Sequence, residues 1–159
     1  MAIAITLHIL FAVIWVGGMF FAVVALRPTA AALLEPPNRL PLWAGTFSRF
    51  FPWVWGAVVM LPATGYWVIF NVFEGFENAG THVQIMQVTG WIMIAVFLHV
   101  YFAPFRRLKI AVAARDWPAA GKQLAQIRML IGVNFVLGLL TVVIATGGRY
   151  LGEYLFAVD

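Results

Sequence analysis

Three histidines are the side chains of this 159-residue chain best suited to binding a metal. His8 and His82 each lie near the start of an apolar stretch, and Met86 follows His82 by one helical turn, so it lies on the same helix face. Imidazole and thioether groups bind soft transition metals and the iron of haem. The chain has no cysteine, which excludes thiolate chemistry, disulfides and zinc–thiolate clusters.

The elements that must position these side chains are membrane spans. The chain is 64% hydrophobic and only 10% charged, whereas a soluble domain has about 25% charged residues. Windows of about 20 residues without Asp, Glu, Lys or Arg are the length that crosses a bilayer. There are four of them, at residues 3–26, 52–73, 83–105 and 129–147. We therefore predict an all-α, integral membrane four-helix bundle in contact with the lipid bilayer, with residues 1–159 forming a single domain.

Charge decides the direction of the spans. The segments after the first and third spans are rich in Arg and Lys, whereas the segment after the second span carries only Glu74 and Glu77. By the positive-inside rule both basic segments face the cytoplasm, so both termini lie outside. The formal charge of +4 comes from these segments, so we give nucleic acid no weight as a partner. We expect a multi-pass protein of a bacterial-type inner membrane.

Helix-end signals extend two spans into the cytoplasm. Asp116 is a suitable N-cap and Pro118 a suitable first-turn residue, so the fourth helix should begin near Trp117. The third helix should continue past its span toward Ala114. Together they predict a cytoplasmic helical hairpin extension between spans 3 and 4. The stretch before the first apolar run carries no basic residue, so we expect the first span to stay in the mature protein.

This topology brings two histidines to one level. His8 lies about 8 Å inside the outer end of the first span, and His82 opens the parallel third span at the same surface. Both imidazoles can therefore face one bundle interior, which is the arrangement that two axial ligands of a haem b require. An ionisable ring in hydrocarbon usually has an interior partner, which favours a functional role for His8, while a wet ring at the interface is the alternative for His82. His99 lies about 25 Å beyond His82 along the same helix and cannot share a mononuclear site with it.

Further side chains near this level are candidate neighbours of a cofactor. Trp15 is placed in mid-span, where it can line a cofactor pocket. Gln84 and Gln87 offer polar groups that can hold haem propionates or orient an imidazole, and hydrogen bonds between helices are the alternative. Met86 can serve as a soft ligand or as ordinary apolar filler.

Three stretches of the sequence carry a resemblance to known families. They read LHILFAVIWVGGMFF (residues 7–21), THVQIMQ (81–87) and FLHVYFAPFRRLKIA (97–111). The chain resembles the CopD copper-resistance family of membrane proteins over nearly its whole length. It is also similar to the HemJ type of protoporphyrinogen oxidase, which shares a four-helix core and a first-span pattern of His, Trp and Gly, matched here by His8, Trp15 and Gly18.

The two resemblances imply different ligands. The HemJ-like one implies a haem b in the bundle, with His8 matching the first-span histidine of that family. Its third span opens with a pattern resembling His-x-Lys, where this chain has His82, Val83 and Gln84. Because glutamine supplies no cation, the resemblance supports haem ligation more than protoporphyrinogen oxidation. The CopD resemblance implies a link to copper uptake or tolerance.

From these observations we predict a haem b-binding membrane redox protein that transfers electrons or oxidises a small substrate, with oxidoreductase activity left open. His8 and His82 are the predicted metal ligands, and Trp15, Gln84 and Met86 are the predicted neighbours of the cofactor. A copper-transporting permease, with the copper ion at His8, His82 and Met86, is the first alternative, and a ligand-free membrane subunit is the second. Quinone, superoxide and porphyrinogen stay open as redox partners, and pairing of copies through glycine faces stays open as an oligomer.

Overall fold

The computed structural model describes the backbone of residues 1–155 and the side chains of residues 1–148. Its four long helices are α1 (Ala2–Leu33), α2 (Pro36–Asn71), α3 (Thr81–Ala113) and α4 (Trp117–Leu155). All four are long and apolar enough to cross a membrane, and residues 1–155 contain no strand. The predicted all-α membrane fold is confirmed. The direction of insertion stays a prediction. The two ends of the bundle are called outer and cytoplasmic according to that prediction.

Local chemistry explains where the helices begin. Pro36 opens α2, because a proline at the first helical position has a suitable φ and lacks only an N–H that would have no partner there. Asp116 Oδ1 accepts a hydrogen bond from the backbone N–H of Ala119 at 3.0 Å, so the predicted N-cap of α4 is confirmed. Between α2 and α3 the chain reverses through Glu74 and Gly75, whose φ angles are positive at 58° and 130°.

Two helices contain a stretch of wider π-helical turns. These stretches are Phe21–Leu26 in α1 and Tyr101–Phe105 in α3. Pro28 follows the first stretch closely, and Pro104 lies within the second. A proline lacks the N–H for the helical hydrogen bond, and its ring crowds the carbonyl four residues earlier. The wider turns relieve this crowding and let both helices continue to the cytoplasmic end.

The bundle consists of two helical hairpins that face each other. In one hairpin α1 packs along α2, and in the other α3 packs along α4. Aromatic side chains fill the space between the hairpins in the cytoplasmic half. Phe51 has its ring centroid 4.7 Å from that of Phe105 and 5.2 Å from that of Phe47, and Phe97 meets it edge-on at 5.4 Å. This cluster forms a continuous core with Trp43.

The cytoplasmic extension is larger than the sequence predicts. The predicted hairpin is present, since α3 runs to Ala113 and α4 begins at Trp117. In addition α2 begins at Pro36, well before the span expected at 52, and its residue Leu40 is buried at this end. Leu108 of α3 and Ile127 of α4 are both fully buried there. The cytoplasmic end is therefore a packed continuation of the bundle rather than a projecting pair of helices.

Candidate ligand cavity

A cavity of about 320 Å³ lies between the two hairpins in the outer half of the bundle. Residues from all four helices line it, and most of the lining is apolar. A single water molecule occupies about 30 Å³ of liquid, whereas pockets for small organic ligands begin at about 300 Å³. The cavity therefore has the size of an organic ligand site rather than that of a site for one bare ion.

Four of the five residues predicted to bind a cofactor line this cavity. His8 comes from α1 and His82 from the first turn of α3, so each hairpin contributes one imidazole. Trp15 and Met86 line it as well. Gln84 does not line it and is exposed, because residues two apart on a helix point to different faces. Gln87 lines the cavity instead.

Thr64 fixes the orientation of the His8 ring through its Nδ1 atom. The Thr64 Oγ1 atom lies 2.8 Å from His8 Nδ1 and 2.5 Å from the carbonyl oxygen of Met60. A hydroxyl has only one hydrogen, and Thr64 donates it to the backbone carbonyl. With the Thr64 hydrogen on the Met60 carbonyl, the matching tautomer of His8 carries its hydrogen on Nδ1, donates it to Thr64 and has its lone pair on Nε2. This is the arrangement that orients a metal-binding histidine.

Glycines shape the cavity at three points. A methyl group added at Gly90 of α3 would meet no atom within 4 Å, so the helix backbone there borders open space. A methyl group at Gly65 of α2 would lie 3.5 Å from Cε1 of His8 and 3.6 Å from Nε2 of Gln87, so these two polar groups converge on one glycine. At Gly148 of α4 a methyl group would lie only 2.6 Å from Cβ of His82. Glycine therefore allows α4 to pack directly against His82.

Neither Thr64 nor Gly90 is a candidate from the sequence, although both shape the site. Thr64 and Gly65 are adjacent small residues in a span of mostly bulky side chains, and this is the local signal that could have pointed to them. Gly90 interrupts the apolar run of α3 between His82 and the aromatic core in the same way. Such signals become specific only when the facing helix is known.

Packed side chains separate the cavity from the cytoplasmic half. Trp15 is 3% exposed, and its ring meets that of Phe97 edge-on at 6.2 Å. Just below the cavity, Asn134 of α4 donates a hydrogen bond from Nδ2 to the carbonyl oxygen of Met93 at 3.1 Å. The cavity therefore ends at the level of Trp15 and does not continue through the bundle.

The side chains that could bind a ligand are two imidazoles, the thioethers of Met86 and Met93, the hydroxyl of Thr141 and the amide of Gln87. Within residues 1–148 no group of three or more His, Asp or Glu side chains comes together as a metal site. His99 is exposed on the outside of α3 and does not line the cavity. A metal bound in the cavity would therefore take few ligands from the protein.

Comparison with known proteins identifies the family. The model of the family described as copper resistance protein D matches residues 44–147, which include His82 and most of the cavity lining but not His8. No curated protein matches the chain, and no solved structure matches it. The match spans more than half of the chain. This multi-pass membrane protein therefore belongs to the copper resistance protein D (CopD) family.

Proposed function

We propose that the outer cavity holds one haem b, with His8 and His82 as its axial ligands, and that the protein is a membrane redox protein. It would transfer electrons or oxidise a small substrate. The observation that supports this most is the hydrogen bond from His8 to Thr64. It leaves Nε2 of His8 able to coordinate a metal in an apolar cavity whose lining also includes His82.

The donor set suits a haem better than a bare ion. The porphyrin supplies four nitrogens to the iron, so the protein has to supply only the axial ligands. Two imidazoles from facing hairpins meet that need, and the open space at Gly90 gives a flat ring room to approach the backbone of α3. The Gln87 amide beside His8 can donate a hydrogen bond to a propionate. When bound, the haem supplies one-electron transfer between ferric and ferrous iron.

The surrounding residues have distinct tasks in this proposal. Thr64 holds the His8 ring in one tautomer, and a hydrogen-bonded histidine is a stronger metal ligand. Trp15 and Phe97 exclude water from the cytoplasmic side of the ligand. Gly148 allows α4 to pack against His82 and so limits the movement of that side chain. Together these contacts would hold the two imidazoles in place for a bound haem.

Copper is the second candidate, and membership of the copper resistance protein D family supports it. His8, His82 and Met86 are donors that suit Cu(I). Passage of copper across the membrane would need several weak sites in series. Below Trp15 the core formed by residues 1–148 is mainly aromatic and aliphatic, so we favour copper bound at the outer cavity over copper conducted through the bundle.

The visible spectrum of the detergent-purified protein, oxidised and dithionite-reduced, tests these proposals together with iron and copper analysis. A Soret band, sharp reduced α and β bands and one iron per chain are the expected results. Copper without a Soret band would replace the haem proposal with the copper proposal. A colourless, metal-free protein from haem-supplemented cells would contradict both and favour a ligand-free membrane subunit.

A further inference from the structure

The contact line between α1 and α4 changes along the bundle. At the floor of the cavity the two helices touch, since a methyl group on Gly138 would lie 3.0 Å from Cγ2 of Val16. Two turns nearer the outer end, Ile9 lies on the same face of α1 as Val16, and Ala145 lies on the same face of α4 as Gly138. Both line the cavity, yet Ile9 is 57% exposed. Ile9 therefore lies where the cavity opens between α1 and α4.

Hydrogen bonds bridge the other contact lines around the cavity. His8 of α1 bonds Thr64 of α2. The hydroxyl groups of Thr89 in α3 and Thr141 in α4 lie 2.9 Å apart.

The gap between α2 and α3 is bridged as well. Trp91 Nε1 of α3 donates to the Tyr66 hydroxyl of α2 at 3.1 Å, and Phe76 packs against Tyr66. Among residues 1–148 no side-chain hydrogen bond joins α1 to α4. Beside the cavity the α1–α4 line is therefore closed by apolar contacts alone, without the hydrogen bond that crosses each of the other three lines.

We propose that this gap is a lateral portal through which the ligand of the cavity enters from the outer leaflet of the membrane. The portal is formed by Ile5 and Ile9 of α1 and by Val142 and Ala145 of α4. All four are apolar, and Val142 is 42% exposed at the edge of the gap. Such a mouth admits a flat, mainly apolar molecule dissolved in lipid and opposes a charged solute, whose transfer into hydrocarbon is costly. That this molecule is a haem rests on the proposed function, but the portal does not.

The absence of cysteine makes the portal testable by labelling one introduced thiol. Ala12 lines the cavity about one helical turn deeper than His8 and Ile9, so Ala12→Cys places a thiol inside it. The protein is expressed under haem limitation and reconstituted into vesicles. Its labelling by N-phenylmaleimide, which partitions into lipid, is compared by mass spectrometry with labelling by the charged sulfonatoethyl methanethiosulfonate. Each labelling rate is divided by the rate at which the same reagent labels a free thiol in solution. We expect this ratio to be several-fold higher for N-phenylmaleimide than for the charged reagent.

A blocking variant and a matched control locate the route. Ile9→Trp adds bulk at the mouth, whereas Val13→Trp adds the same bulk one turn away, at a residue that is 62% exposed and does not line the cavity. In the Ala12→Cys background, Ile9→Trp should slow labelling by N-phenylmaleimide several-fold, and Val13→Trp should leave it unchanged. Ala145→Trp blocks the portal from α4 and serves as a second variant where Ile9→Trp fails to fold.

The outcomes separate the portal from the haem proposal, because the labelling needs no haem. Preferential labelling by the charged reagent, no labelling at all, or equal rates in the Ile9→Trp and Val13→Trp variants would each overturn the portal. Labelling as expected in a protein that never binds haem would support the portal and reject the proposed function. Haem binding combined with preferential labelling by the charged reagent would support the proposed function and reject the portal.

Discussion

The two halves of the bundle are built from the same four helices but are packed in opposite ways. In the outer half a cavity of about 320 Å³ separates the hairpins. In the cytoplasmic half aromatic rings stack between them, and a gap beside Asn134 measures only about 20 Å³. On α2 the difference follows side-chain size, since this helix carries Phe47 and Phe51 in its cytoplasmic half and Thr64 and Gly65 beside the cavity.

This contrast assigns different tasks to the two halves. Helices in a membrane associate mainly through van der Waals packing, because lipid is as apolar as their side chains. The tightly packed cytoplasmic half should therefore supply most of the stability of the bundle. The outer half forgoes packing and instead presents polar groups to a cavity. Substitutions should accordingly affect folding in one half and ligand binding in the other.

The largest effect is expected from His8→Ala. Removal of an axial ligand from the proposed haem should abolish most haem binding while the bundle still folds, because the cytoplasmic core is untouched. Haem per chain, measured by the pyridine haemochrome assay, checks this. His99→Ala is the control, since His99 is exposed and does not line the cavity. Full six-coordinate haem in the His8→Ala variant would show that His8 is not a ligand.

Phe47→Ala should lower the stability of the bundle and leave haem binding unchanged. Phe47 is 2% exposed and packs against Trp43, Phe51 and Phe105. Its loss leaves a cavity that typically costs about 3–5 kcal/mol. The free energy of unfolding, measured by detergent-denaturant titration, should fall, while haem per folded chain stays at the wild-type value. Phe21→Ala, at a residue that is 58% exposed, is the matched control and should change neither. Loss of haem from folded Phe47→Ala protein would show that the cytoplasmic half also contributes to ligand binding.

Thr64→Val tests the contact that orients His8. The variant keeps the side-chain shape but removes the oxygen that accepts the hydrogen of Nδ1. Loss of such a supporting contact typically lowers metal affinity about 10–100-fold. A haem titration of apo-protein should show this decrease. Thr146→Val removes an exposed hydroxyl that bonds only its own helix, so it should bind haem like the wild type. Equal haem affinities of the two variants would show that the Thr64 hydroxyl does not support His8 as a ligand.

The smallest effect is expected from Thr141→Val, which removes the hydrogen bond between α3 and α4. Such bonds between membrane helices average about 0.6 kcal/mol. The free energy of unfolding should fall by about that amount. Thr46→Val removes a hydroxyl that bonds only its own helix and should leave the free energy unchanged. A loss as large as that of Phe47→Ala would show that the outer half also carries the stability of the fold.

Much of the fold was accessible from the sequence because its signals are long. Apolar runs free of charge predict the four spans, and Asp116 predicts the start of α4. The early start of α2 was missed because the spans were defined by the absence of charge and Arg49 ends the uncharged window, although the helix continues back through Pro52 and Pro41 to Pro36. A proline prevents only one hydrogen bond, and the contacts of Leu40 and Trp43 with the neighbouring helices outweigh that loss.

The site could be predicted in part, for a different physical reason. Parallel spans with histidines at one level predict that His8 and His82 approach one cavity, and helix spacing adds Met86. The choice between Gln84 and Gln87 depends on the rotation of α3 about its axis, which its contacts with α2 and α4 determine. Thr64 was missed because its role depends on a facing histidine 56 residues away in the chain.

The central claim is that the ligand binds in the outer cavity, and an equilibrium haem titration of the Gly90→Phe variant tests it most directly. Gly90 borders open cavity space, so a phenyl group there should fill the cavity. The backbone that carries His8 and His82 should keep its position. Gly17→Phe is the control, because Gly17 is exposed and a side chain there also meets no neighbour within 4 Å. We predict one haem per chain for Gly17→Phe and none for Gly90→Phe. Equal haem binding by both folded variants would contradict the account.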